Sequence, residues 1–364
     1  MKFAADTTIM IKDRPATGGC KILAGFTSPF TATAVEKAVD GGMEFTGQTE
    51  TTEFSISGLE KDTVIDGDAF SRLSGAGCDA VLCNDFSGLL RRNISCVGGC
   101  YIHPTYGSVS RLGLIASMTS ADQIGVAAGD VDKCFKMLGI IAGHDGRDGT
   151  SAAADVYNYT AGNDISGLHI GVFTNIQQDS GTRTAIELLR RAGAQTVDLE
   201  LPYARVLNRV MYIIACAEIS NNINRLDGVK YGLRAEDYKG VDDMYTKTRT
   251  QGLGIDTKLA CVMGALVLSE DFYEKYYDKA MRVRRLFAQE IADIFKNVDA
   301  AVLPQKFEDK PNYEGLTLTA PAVLAGLPSL SMSLHGGSGV QLLADRFSEN
   351  ILYSIGRKLQ KGVK

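Results

Sequence analysis

The sequence has few residues of the kinds that bind transition metals. Its 364 residues include four histidines and eight cysteines, and no two cysteines stand in Cys-x-x-Cys spacing. The closest pair, Cys96 and Cys100, are four residues apart. Structural zinc sites usually take their ligands from closely spaced cysteine and histidine pairs. We therefore expect neither a metal nor another cofactor, and we interpret the cysteines as free buried thiols in a reducing compartment.

Long apolar runs and an excess of positive charge are absent as well. No run is long and apolar enough to span a membrane, and the first residues resemble neither a signal peptide nor a convincing transit peptide. The net charge of −5 does not imply a strongly basic face, so direct contact with nucleic acid is not favoured. The net charge does not exclude a local basic patch. With 45% apolar residues, the chain can bury a large core in one large α/β domain or two ordinary ones.

One stretch has an unusual composition. Residues 83–107 read CNDFSGLLRRNISCVGGCYIHPTYG and continue into SVSRLGLIASMTSADQIG. This stretch resembles the amidase signature family, and within it the A subunits of glutamyl-tRNA(Gln) amidotransferases. The family patterns are D-T-G-G-S-I-R and, later, K-P-T-Y-G-R-V-S-R-x-G-L. The alignment needs no gap from Asp85 to Leu114.

The resemblance extends from about residue 7 to residue 359. Residues 225–232, RLDGVKYG, match R-x-D-G-x-x-Y-G, a run typical of the amidotransferase subunit, and residues 272–284 match a second such run. It implies an α/β amidase signature fold, with a large mixed central β-sheet flanked by helices. Residues 1–364 would form a single domain that lacks the family's N-terminal helical region. Independently, residues 168–201 have the pattern of a β-α-β unit, which predicts parallel pairing.

The resemblance also implies a catalytic triad of two serines and a lysine, and here the chain departs from the family. The position of the serine nucleophile is occupied by Leu89, and that of the relay serine, which lies on a cis peptide in the family, by Ile65. Lys12 alone remains. A nucleophile needs an oxygen or sulfur atom within reach of a base, so leucine cannot attack a carbonyl. The oxyanion segment T-G-G is replaced by residues 86–88, Phe-Ser-Gly.

Two further positions concern recognition of the substrate. The family arginine that pairs with the substrate carboxylate falls on Ala260, and the family aspartate that receives the substrate amino group falls on Leu316. Neither residue can hold a charged group. The resemblance therefore carries no substrate-binding residue over to this chain.

Residues 7–11, TTIMI, predict a strand that ends at Lys12. In the family this lysine is the catalytic base. Without its serine partners, a buried ammonium group needs another acceptor or a lowered pKa. The alignment suggests Asp66 and Asp85 as acceptors.

Three interpretations follow. The first is a catalytically inactive amidase homologue that serves as a structural subunit of a larger multiprotein assembly, which by analogy we expect in the mitochondrion and otherwise in the cytoplasm. The second is a working glutaminase subunit of a glutamyl-tRNA(Gln) amidotransferase with relocated chemistry, for example at Ser87, displaced by roughly 7 Å in an extended segment. The third is a ligand-binding module whose cavity is lined by Leu89, Ile65 and Leu316.

Overall fold

The computed structural model describes residues 1–56, 59, 77–153, 157–307, 312–334 and 337–362. Within these residues, ten strands form one mixed sheet in the order β2-β1-β3-β5-β4-β9-β10-β8-β6-β7. The strands are β1 (Lys2–Asp6), β2 (Glu44–Thr49), β3 (Ala80–Asn84), β4 (Cys100–His103), β5 (Ile124–Ala128), β6 (His169–Phe173), β7 (Gln195–Leu199), β8 (Ala300–Leu303), β9 (Ser329–Ser333) and β10 (Gly339–Ala344).

Helices cover both faces of this sheet. In the described part of the chain they are α1 (Thr33–Asp40), α2 (Leu89–Asn93), α3 (Val131–Ile141), α4 (Ser180–Arg191), α5 (Leu207–Ile223), α6 (Val241–Gly252), α7 (Ile255–Leu268), α8 (Lys279–Ile294), α9 (Asn312–Ala325) and α10 (Glu349–Gly362). The expected α/β fold, a large mixed sheet flanked by helices, is therefore confirmed.

The sheet consists of two sequence-continuous halves. The strands of residues 2–128 occupy one side, and those of residues 169–344 occupy the other. The halves meet where β4 pairs with β9 in antiparallel orientation. The outer three strands at each edge are parallel, and the pairs between them are antiparallel.

The core has two parts, one on each face of the sheet. On β8, Ala300 and Val302 belong to one apolar cluster, while Ala301 and Leu303 belong to the other, as the two-residue period of a strand requires. The first cluster takes side chains from α1, α3, α4 and α10. The second takes them from α5, α7, α8 and α9. Residues of the candidate site fall in the second cluster.

Local chemistry explains where the sequence prediction of the first strand was wrong. Strand β1 ends at Asp6, and the segment that follows is not a continuous strand over residues 7–11. The Asp6 carboxylate accepts hydrogen bonds from the Thr8 backbone amide, at 2.8 Å, and from the Thr8 hydroxyl. Such an Asx turn ends a strand. Beyond it, Ile9 makes an isolated bridge with Leu114.

The β-α-β prediction was correct. Strands β6 and β7 are parallel neighbours joined by α4. Asp179 caps the start of this helix, and its carboxylate accepts a hydrogen bond from the Thr182 amide at 2.7 Å.

All eight cysteines are free thiols. Six are buried, Cys261 is half-buried and Cys96 is exposed. Among the residues that the structure describes, no helix is long and apolar enough to cross a bilayer. In the same residues, no group of three or more acidic, histidine or cysteine side chains is arranged to hold a metal ion.

Candidate functional site

The turn between β3 and α2 carries the residues that align with the family nucleophile segment. Gly88 has a φ of 77°, in the left-handed region that glycine adopts readily. A Cβ atom on Gly88 would lie 2.4 Å from the Thr319 side chain on α9. Thr319 also donates a hydrogen bond to the Ser87 carbonyl at 3.3 Å. The turn is therefore held against α9 by a close backbone approach that only glycine permits.

A buried ion pair fixes the two ends of this turn. Arg91 Nε lies 3.2 Å from Asp85 Oδ2, and both side chains are almost wholly inaccessible. The same carboxylate accepts hydrogen bonds from the backbone amides of Leu90 and Arg91, at 3.0 and 3.1 Å. Burial raises the pKa of Asp85, although the Arg91 charge and these amides act in the opposite direction. The carboxylate thus serves as an anchor for the start of α2.

Leu89 is the first residue of α2, and its side chain is buried. Phe86, which the resemblance places at the threonine of the family oxyanion segment, is also buried. Phe86 belongs to the second apolar cluster. The turn has a tight, anchored backbone, and hydrocarbon side chains occupy the positions that the resemblance assigns to the nucleophile and to part of the oxyanion segment.

Ala260 on α7 and Leu316 on α9 are both buried in the same apolar cluster as Phe86. The two positions that the alignment assigned to substrate recognition therefore lie on the same face of the sheet as Phe86, within the protein's own core. An uncompensated substrate charge placed among these side chains would be strongly disfavoured. No described residue at these positions can pair with a zwitterion.

Lys12 is exposed, so the prediction of a buried ammonium was wrong. Its backbone amide donates to the Thr31 hydroxyl at 3.1 Å, and the next residue, Asp13, has a φ of 60° and donates to the Ser28 carbonyl at 2.9 Å. These bonds turn the chain at the surface.

The pairing of Lys12 with Asp85 was also wrong. Asp85 is engaged by Arg91, and the ion pairs between described residues do not include Lys12. The other suggested acceptor, Asp66, and the relay position, Ile65, lie outside the described residues.

A buried polar network next to the turn was not found from the sequence. Asp6 Oδ2 accepts from the Asn84 amide at 3.1 Å, and the Asn84 side chain donates to Asp122 at 2.9 Å. Asp122 in turn accepts from the Ser117 amide at 2.7 Å. Burial raises the pKa of Asp6 to about 6 and also raises the pKa of Asp122. The only sequence signal was an Asn-Asp pair at the end of an apolar run, which does not identify partners more than thirty residues away.

The mixed sheet and the turn between β3 and α2 agree with the protein family that the chain matches. The family model described as Amidase matches residues 76–352, and the chain belongs to that family.

Individual proteins similar to this chain include several A subunits of glutamyl-tRNA(Gln) amidotransferases. The chain is 32% identical to the A subunit of Thiobacillus denitrificans, over 95% of this chain and 80% of the relative. It is 35% identical to that of Chloroflexus aurantiacus, over 95% of this chain and 79% of the relative. The crystal structure of the Thermotoga maritima protein matches with a TM-score of 0.77 at 26% identity, covering 99% of this chain and 83% of that one.

Proposed function

We propose that this protein is a catalytically inactive member of the amidase family that serves as a structural subunit of a larger, mitochondrial multiprotein assembly. The observation that carries the proposal is the leucine at the start of α2. The ion pair between Arg91 and Asp85 anchors a turn of the kind that presents a nucleophile, yet Leu89 has no atom that could attack a carbonyl.

Two other features support the loss of chemistry. Lys12 is at the surface, and the side chains at positions 260 and 316 are apolar and buried. Groups that act as a unit in catalysis lose most of their effect when one member is removed. The departures at nucleophile, base and substrate positions therefore support the same interpretation.

The names of the relatives support a structural role within a complex. Those relatives are named as subunits, and this chain matches them over nearly its whole length. Its net charge of −5 favours protein contacts over an interface dominated by nucleic-acid phosphates. The mitochondrial location is proposed by analogy, as the place where a bacterial-type subunit could have lost its chemistry and been kept for its surface.

The purified chain tests the proposal directly. We expect no release of ammonia from glutamine, asparagine or simple amides above that of a Lys12→Ala variant. In native extract, cross-linking and size-exclusion chromatography should find the chain in a stoichiometric complex. A chain that runs alone at about its own mass, with no cross-linked partner, would count against the structural role.

The identity of 32–35% over 95% of the chain also favours a second candidate, a working glutaminase subunit of a glutamyl-tRNA(Gln) amidotransferase. The same assay separates the two. Ammonia release from glutamine that depends on Lys12 would support the second candidate and overturn the first. The relocated nucleophile would then have to be identified, with Ser87→Ala as the first variant.

A further inference from the structure

The strands at the centre of the sheet carry a group of polar side chains on an otherwise apolar face. Directly opposite residues of neighbouring strands point to the same side of a sheet. His103 of β4 lies opposite Ser329 of β9. Two residues further along β9, Ser331 lies opposite Gln341 of β10. Leu343, which faces Ser329 from β10, belongs to the second apolar cluster, so all four polar residues point into that part of the core. We call these four residues the central polar group.

Each member of the central polar group has a buried polar atom that the protein itself does not satisfy. Among the residues that the structure describes, no hydrogen-bond partner exists for His103 Nδ1, Ser329 Oγ, Ser331 Oγ or Gln341 Oε1. All four residues are at most 1% exposed. A polar atom that leaves water and gains no partner destabilises the folded state, so such atoms are rare in native proteins. Four of them on adjacent strands point to a bound molecule that supplies the missing hydrogen bonds.

The four atoms require a molecule that both donates and accepts hydrogen bonds. The Gln341 amide donates from Nε2 to the Leu318 carbonyl on α9 at 2.6 Å, which leaves Oε1 as an acceptor in need of a donor. The two serine hydroxyl groups can donate or accept. Burial, and then the charge of nearby Arg91, lower the pKa of His103 well below its usual value, so its ring is neutral. A neutral imidazole has one donor and one acceptor nitrogen.

The surroundings exclude a charged or a large occupant. Arg91 is wholly buried and lowers the pKa of His103, so its positive charge would repel a cation bound beside that ring. An anion would meet the Gln341 acceptor oxygen, and the Arg91 charge is already paired with Asp85. Complete burial limits the occupant to the size of a few atoms. Water is small and neutral, and buried water typically makes about three hydrogen bonds to groups that have no other partner.

We propose that the central polar group binds two water molecules inside the protein. One bridges His103 Nδ1 and Ser329 Oγ, and the other bridges Ser331 Oγ and Gln341 Oε1. The Cβ atoms of directly opposite residues are about 4.5–5.5 Å apart, so a single water molecule can reach both side chains of each pair. The first water joins β4 to β9, where the two halves of the sheet meet, and the second joins β9 to β10.

A high-resolution crystal structure of the full wild-type chain tests the proposal, independently of whether the chain hydrolyses amides. We expect two ordered water molecules, each about 2.5–3.2 Å from both polar atoms of its pair. Side chains of the central polar group that bond directly to one another, with no water between them, would overturn the proposal. So would a solute other than water at either position.

The variant Ser331→Val distinguishes a hydrated site from a dry one by the sign of its effect. Its two methyl groups displace the second water and leave Gln341 Oε1 without a partner, so the midpoint of urea unfolding should fall. In a dry site the added apolar burial would raise the midpoint instead.

The matched control is Ser333→Val on the same strand, because the Ser333 hydroxyl donates directly to the Ile94 carbonyl at 3.2 Å. Oxygen-17 relaxation dispersion, which counts long-lived internal waters, should find one water fewer in Ser331→Val and an unchanged number in the control. A midpoint that rises in Ser331→Val, or a water count that this variant leaves unchanged, would overturn the proposal. If Ser331→Val does not fold, the wild-type crystal structure alone decides.

Discussion

At the scale of single residues, Arg91 and Leu89 have separate roles in the turn. Arg91 helps to fix the backbone conformation, and the side chain at position 89 decides whether a nucleophilic atom is present. Arg91 forms a buried ion pair with Asp85 and also donates to the Asp85 carbonyl at 3.0 Å. These interactions fix the backbone whatever side chain follows Gly88. A serine at position 89 would therefore meet the same backbone as the leucine does.

The serine alone should still be inactive. We expect Leu89→Ser to release no more ammonia from glutamine than Leu89→Ala, which removes the same bulk without adding a hydroxyl group. Lys12 is exposed, and Phe86 is at the position that the resemblance assigns to the oxyanion segment, so under the proposed function neither a base nor an oxyanion site supports the new hydroxyl group. Turnover by the serine variant that the alanine variant lacks would contradict this explanation.

The ion pair should contribute mainly to stability. Arg91→Met leaves the buried Asp85 carboxylate without its cation and should lower the free energy of unfolding by about 3–5 kcal/mol. The matched control is Arg282→Met, because Arg282 pairs with Asp278 at 2.7 Å on an exposed helix surface. That loss should be no more than about 0.5 kcal/mol. Urea unfolding of both variants measures the difference, and equal losses would show that the buried pair is not the anchor.

At the scale of elements, the sequence predicted the strongly patterned segments and failed where side chains bond to backbone. The β-α-β unit over residues 168–201 follows from apolar spacing, and that prediction was correct. The strand over residues 7–11 was wrong because the Asp6 carboxylate bonds to Thr8, an interaction that apolar spacing does not reveal. Helix α5 (Leu207–Ile223) is followed by turns in which Gly228 and Gly232 have positive φ.

The candidate site was predictable only in part. The alignment assigned residues to the nucleophile position and to the two substrate-charge positions, and these assignments stay predictions. It did not reveal that Arg91 engages Asp85, or that Lys12 lies at the surface, because both depend on contacts made after folding. The Asp85 carboxylate, which was expected to accept a hydrogen bond from Lys12, forms its ion pair with Arg91 instead.

Two helical glycines should respond to alanine with opposite signs. In α7, Gly264→Ala forces a methyl group against the Cys216 carbonyl, 2.1 Å away, and should lower stability by about 1–3 kcal/mol. In α3, the exposed Gly139 has only Tyr159 within reach, at 3.8 Å, and Gly139→Ala should raise stability by about 0.5–1 kcal/mol. Thermal or urea unfolding checks both, and a loss at both positions would refute the steric argument.

At the scale of the whole molecule, the buried network of Asp6, Asn84 and Asp122 connects β1 and β3 to the turn before β5. Burial raises the pKa of Asp6 to about 6, so the folded protein holds a proton there that the unfolded chain releases near its ordinary value of 3.8. The contribution of Asp6 to stability is therefore fully present below about pH 4 and is lost as the pH rises through about 6.

Asp6→Asn should remove that dependence. As the pH rises from about 4 to about 6.5, the wild type should lose up to about 3 kcal/mol of unfolding free energy relative to the variant. Urea unfolding at a series of pH values measures it. A difference that stays constant over this range would mean that Asp6 does not titrate as its burial implies.

The division of the sheet into two sequence-continuous halves has a consequence for how the protein is made. β4 ends at His103, but its partner β9 begins only at Ser329, so more than 200 residues must be added before the pair can form. At ribosomal rates of about 5–20 residues per second, this takes on the order of ten to forty-five seconds. During that time the nascent chain holds an unpaired strand edge, which is the feature that invites pairing with other chains. Synthesis of this protein therefore depends on keeping that edge covered until the last tenth of the chain leaves the ribosome.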